Sequence, residues 1–130
     1  MESWRKVFRE GLAPLLSRRA LEVLRDAFEC DSPELCQGAT TQAKAEPGAW
    51  FSGVAPCAAC LIGYVGWRGE GLETIGEVET FFSEMCFQMD QRLGEPSACR
   101  YLLGFFDESP WPVVKAELLP EIRIALEGKA

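Results

Sequence analysis

Residues 56–67 read PCAACLIGYVGW, and no charged side chain falls between Cys57 and Trp67. How that run folds decides the architecture. A segment apolar all round belongs at the centre of a protein, behind amphipathic neighbours. Pro56 suits the first position of a helix, where its missing N–H is no loss. Read this way, 56–67 is a central apolar helix. Ala59, Gly63 and Gly66 then lie three to four apart on one side and let a neighbouring helix come close. Each glycine weakens a helix by roughly 1 kcal/mol relative to alanine, so packing must compensate. A short apolar run carries no periodicity that separates helix from buried strand, so a strand over 60–65 stays open.

Downstream, WRGEGLETIGE turns on Gly69 and Gly71, and Thr74 with Glu77 forms a capping box. The spacing then predicts the strongest helix of the chain, 75–93. Its stripe is Ile75, Val78, Phe82, Met85, Cys86, Met89 and Leu93, and Gly94 ends it. Phe87 lies off the stripe, which asks for a second contact to cover it. Pro96 starts a further helix with Cys99, Leu102, Leu103 and Phe106 inward. Ser109 caps a last one, about 111–127, bent near Pro120, with Val113, Val114, Leu118, Leu119, Ile122 and Leu126 apolar.

Upstream, Ser3 caps a first helix carrying Trp4, Val7, Phe8 and Leu12, which Gly11 and Pro14 end or kink. Ser17 caps a second, about 18–29, with Ala20, Leu21, Val23, Leu24, Ala27 and Phe28 inward. Ser32, Pro33 and Glu34 mark the start of a helix of one or two turns. The stretch 37–48 is small, polar and aperiodic, hence a long loop, behind which Trp50 and Phe51 dock on the core. The expected fold is all-α: a compact single-domain bundle, 1–130, of six to seven short helices around the central apolar one.

Composition supports this. The chain has 130 residues, 48% hydrophobic and 25% charged, so it can bury a core without disulfides. It has no run long and apolar enough to span a membrane and no signal-peptide pattern. A cytoplasmic setting follows, with its six cysteines as reduced thiols. The net charge of −7 argues against gripping nucleic acid. The charge is uneven. Residues 1–25 carry six basic groups against three acidic ones, whereas 69–95 hold seven carboxylates and only Arg92. Either the basic N-terminal helix lies near the acidic middle helix, or it is left free for an acidic partner.

Chemistry is sparsely marked. Cys57-Ala-Ala-Cys60 has the spacing of a dithiol redox centre, and Pro56 puts Cys57 at a helix start, where a thiol pKa falls. That motif expects a preceding strand in a βαβ unit, which is missing. The competing reading is two small core residues one helical turn apart. A zinc site needs four ligands, and the chain has no histidine and no second close cysteine pair: Cys30 and Cys36 are six apart, Cys86 and Cys99 thirteen. No metal or cofactor is expected. The lack of histidine also removes a Ser-His or Cys-His pair. Glu70, Glu73 and Glu77 flank the glycine turn and would form an acid/base pair if two were held close, or else a solvated helix start. Trp50, Trp67 and Trp111 sit at element edges beside Pro or Gly. They either cap the core or line a cleft with Arg68 and Arg100 near. The reading adopted is a binding protein, a protein-interaction or adaptor module for an unknown partner or for a second copy, without nucleic acid or membrane. Its candidate binding residues are Trp50, Trp67, Arg68, Glu70, Phe87 and Trp111. The alternatives are a thiol oxidoreductase using Cys57 and Cys60, and a small-ligand binder at the tryptophan cleft.

Overall fold

The computed structural model describes residues 1–43 and 53–129. In chain order its elements are α1 (Ser3–Lys6), continued by a π-helical turn (Val7–Leu12) and a 3₁₀ turn (Ala13–Leu15), and then α2 (Arg18–Glu29), β1 (Thr41–Gln42) and β2 (Ala58–Ala59). After these come α3 (Leu61–Tyr64), continued by a π-helical turn (Val65–Gly69), α4 (Ile75–Leu93), α5 (Cys99–Glu108) and α6 (Trp111–Glu127). This is an all-α bundle with one two-stranded ladder among the described residues. None of these helices is long and apolar enough to cross a membrane.

The apolar run does lie at the centre, but its helix begins at Leu61 and not at Pro56. Residues 58–59 are extended because the polar segment before them supplies backbone acceptors and donors. Cys57 N–H donates to Gln42 O (2.7 Å) and Cys60 N–H to Thr40 O (3.1 Å), on the antiparallel side. On the other side Ala59 N–H donates to Glu34 O (2.9 Å), and Ala59 O accepts from Cys36 N–H (2.8 Å). A strand that is satisfied on both edges has no reason to coil. The strand over 60–65 is absent; the extended part is the two residues before it.

The helix that follows is held by close approach. A Cβ on Gly63 would stand 2.5 Å from Thr40 O, one on Gly66 2.7 Å from the Phe81 ring, and one on Gly69 3.1 Å from Ala20 Cα. The small-residue row is therefore Gly63, Gly66 and Gly69, and it admits the residue before β1, α4 and α2 in turn. Three glycines cost the helix about 3 kcal/mol of propensity. Leu61, Ile62 and Val65 are fully buried beside them, each contributing about 2 kcal/mol, so packing outweighs propensity.

Around this axis the amphipathic helices fall as their patterns require. α2 is capped by Ser17, whose Oγ accepts from Ala20 N–H at 3.1 Å. α4 has the full capping box, and ends at Gly94 in the left-handed region (φ 66). Along α4, Ile75, Val78, Met85 and Met89 are buried, while Phe82, Cys86 and Leu93 are partly covered. Several boundaries differ from expectation. Glu2, not Ser3, precedes α1, and no side chain caps it. Ser32-Pro33-Glu34 makes a turn and not a helix, because Glu34 and Leu35 are drawn into pairing with β2. α5 starts at Cys99, after a turn over 95–98. α6 is preceded by Pro110, and Ser109 does not cap it. Val113 is 45% exposed and lies outside the core. The 37–48 segment contains β1 and is not wholly loop, and Trp50 and Phe51 fall outside the described residues.

The basic N-terminus does pack near α4, where Gly11 meets Leu93, but its charge is matched elsewhere. Arg5 Nη1 reaches Glu121 Oε2 at 2.7 Å and Arg9 Nε reaches Glu121 Oε1 at 2.6 Å. Glu121 is 3% exposed, so α6 is clamped to the first segment through a buried carboxylate. Trp4 stacks flat on Phe105 at 4.1 Å and joins the first segment to α5.

Candidate functional site

Cys57 and Cys60 flank the extended pair Ala58–Ala59. Cys57 is exposed and Cys60 is buried, in keeping with opposite faces. Burial pushes the Cys60 thiol up to about 11, the reverse of an activated nucleophile. The helical-turn geometry expected of this pair is therefore absent, since β2 separates the two cysteines. Desolvation also raises the thiols of Cys86 and Cys99, which pack between α4 and α5. Among the described residues no three Cys, Asp or Glu side chains converge as metal ligands.

The acidic turn is a cap. Glu77 Oε1 accepts from Glu73 N–H, Thr74 N–H and Thr74 Oγ–H, each at 3.2 Å. The Glu73 amide, then the Thr74 groups, hold its carboxyl below the ordinary carboxylate range. A paired acid/base would need one carboxyl raised, so this cluster is the solvated helix start. Glu70 lies in the turn, exposed, its N–H given to Val65 O at 2.9 Å.

The tryptophans join separate aromatic groups. Trp67 meets Tyr64 edge-on at 6.2 Å and carries Arg68 over its ring at 4.3 Å, while Arg68 also forks onto Glu34. Trp111 packs on Phe28 and Phe106, and its Nε1–H donates to Asp31 Oδ1 at 2.8 Å. Arg100 stands apart, on a groove with Tyr101 and Asp107. Trp50 is outside the described residues, so the three-tryptophan cleft has no counterpart in what is described. A more enclosed cavity, lined by Ser3, Lys6, Val7, Leu93 and Tyr101 among others, holds ≈ 170 Å³. Small-molecule sites start at roughly 300 Å³.

The α4–α5 corner is the remaining candidate. Phe87 is 62% exposed and Tyr101 50%. Both stand beside a corner that is rigidly built. Asp90 Oδ2 accepts from Ser97 N–H and Oδ1 from Cys99 N–H, each at 2.9 Å, which caps α5 and fixes the turn. Ser97 is held there at φ 62. A groove of ≈ 480 Å³ opens along it, lined by Phe87, Asp90, Gln91, Gly94, Glu95, Pro96 and Ser97. A second, of ≈ 450 Å³, lies nearer the start of α4, lined by Leu72, Gly76, Glu77, Thr80, Phe81 and Glu84. Both are open to solvent, with apolar floors and acidic rims. Of the residues singled out from sequence, Phe87 alone is placed here. Asp90, Tyr101 and the two grooves were missed. The position of Tyr101, exposed on a helix whose stripe is Cys99, Leu102 and Phe106, was available from the pattern. The role of Asp90 was not, because it reaches across a turn. Comparison with protein-family models, curated proteins and solved structures finds no match to the chain.

Proposed function

We propose that this chain works by binding another protein, as an interaction or adaptor module, and that α4 with the α4–α5 corner is its contact surface. The observation that carries the reading is Phe87: a large aromatic side chain, 62% exposed, on a well-capped helix whose buried stripe lies elsewhere. Interfaces are enriched in such aromatics, and a rigid support limits the ordering cost of using one. The shallow grooves suit a macromolecular partner more than a small ligand. Six unpaired thiols, two of them exposed, fit a reducing cytoplasm.

A photo-crosslinking side chain placed at Phe87, Tyr101 or, as a control, Arg19 on α2 tests this in the native cell. Discrete adducts from the first two positions and none from the third are expected. Diffuse labelling at all three, or none at any, would sink the reading. Self-association is a second possibility, favoured by Val113 and Ile124, which are 45% and 54% exposed on α6. Sedimentation of the purified chain, with Ile124→Glu beside it, decides that case.

A further inference from the structure

Along α4, residues three apart form a ridge inclined to the helix axis. The ridge that crosses the outer face is Phe81, Glu84, Phe87 and Asp90, alternately aromatic and acidic. Its inner end tucks in, since Phe81 covers Gly66, and it emerges at the exposed Glu84 and Phe87. The two grooves lie toward its two ends. One holds Thr80, Phe81 and Glu84, the other Phe87, Asp90 and Gln91. Neighbours on such a row are roughly 5–6 Å apart, so the four span about 16 Å, three turns of a helix laid across them.

Charge specifies what would lie there. None of the ion pairs among the described residues involves a residue of 69–95, although that segment carries seven carboxylates and only Arg92. Arg5, Arg9, Arg18 and Arg25 pair with Glu117, Glu121, Glu22, Asp26 and Glu29, away from this face. Apolar anchors between uncompensated carboxylates ask for apolar anchors between cations. An anionic membrane or nucleic acid would be repelled by the same face.

Resting on the interaction reading above, we infer that the α4 ridge docks a basic amphipathic helix of a partner protein. Its apolar residues, at i, i+3/4 and i+7, seat in the two grooves beside Phe81 and Phe87, and its lysines or arginines meet Glu84, Asp90 and Glu95.

The probe is a labelled 20-residue helical peptide of leucine and lysine in amphipathic register, with a leucine and glutamate counterpart, followed by fluorescence anisotropy. The lysine peptide is expected to bind at least tenfold more tightly than the glutamate one, and to lose affinity as salt rises. Phe87→Ala and Glu84→Lys should each weaken it about tenfold. Glu127→Lys, the same change of net charge on exposed α6, should leave it nearly unchanged. Equal weakening by Glu127→Lys would mean attraction to net charge alone and would overturn the proposal, as would indifference to Phe87→Ala. A dimer of the chain dispersed by Phe87→Ala would put a second copy on the ridge and overturn it too. If the peptide fails while crosslinks from Phe87 still form, the partner has other chemistry and the interaction reading survives. If the crosslinks fail, that reading falls first.

Discussion

Among the described residues Glu121 is the one charged residue in the buried set, and two arginines decide its state. Arg9, and after it Arg5, hold its carboxyl below the ordinary range, against the upward push of burial. A carboxyl depressed in the folded state contributes stability above its unfolded pKa, near 4.3, and loses it as pH falls through the folded value. The melting temperature should therefore drop steeply below about pH 4, and Glu121→Gln should flatten that drop. It should not abolish it, because Glu77, Glu2 and Asp31 are lowered as well. At neutral pH, Glu121→Ala should cost about 3 kcal/mol in urea denaturation, since two arginines lose the carboxylate they share. An unchanged pH profile in Glu121→Gln would contradict this account of the clamp. The thiols allow a second check at this scale. With its pKa near 11, Cys60 is about a thousandth ionised at pH 8 and is buried besides. Peptide-mapped alkylation should mark the exposed Cys57 and Cys30 early and Cys60 last. Early labelling of Cys60 would reopen the dithiol reading.

Among the elements, α2 and α4 were legible almost to the residue, because caps, stripe and stop signal agreed. The central segment was legible in place but not in form. Nothing within PCAAC announces that Thr40, Gln42, Glu34 and Cys36 will pair with it, since those partners lie about twenty residues away in a polar stretch. For the same reason the Ser32 signal reads as a helix start where the structure has a turn, and nothing in the sequence names Glu121 as the partner of Arg5 and Arg9. The candidate site was half legible. Phe87 stood out from the stripe, but the groove beside it depends on Asp90 reaching Ser97 and Cys99. The glycine row makes the packing of the central element testable. Gly66→Ala should destabilise by about 2 kcal/mol, because its new methyl meets the Phe81 ring at 2.7 Å and overpacking outweighs the gain in propensity. Gly104→Ala, in α5 with nothing nearer than Glu108 Oε2 at 4.0 Å, should stabilise by about 0.5–1 kcal/mol. Thermal melts of the two variants side by side check the contrast. Equal effects would mean that Gly66 is there for some reason other than the approach of α4.

For the molecule as a whole, the decisive quantity is where the charge of −7 sits. Among the described residues its ion pairs lie around α1, α2, α6 and the Glu34–Arg68 contact, and none reaches the seven carboxylates of 69–95. Solvent-exposed charges of one sign repel across a few ångströms, and salt screens them over about 10 Å at 0.1 M. The Glu121 clamp, being buried, is screened far less. Salt should therefore stabilise this protein: raising NaCl from 0.01 to 0.3 M should lift the melting temperature by about 4 °C. Glu84→Lys with Glu95→Lys should raise the low-salt value and remove most of the response, whereas Glu121→Gln should lower both and keep the slope. A melting temperature that falls with salt would show that surface ion pairs, and not α4 repulsion, dominate. The folded chain thus tolerates self-repulsion on the one face that also exposes Phe87. A basic helix laid there would relieve that repulsion and cover the ring together, so its binding and the low-salt stability of the free chain should respond to the same two substitutions in opposite directions.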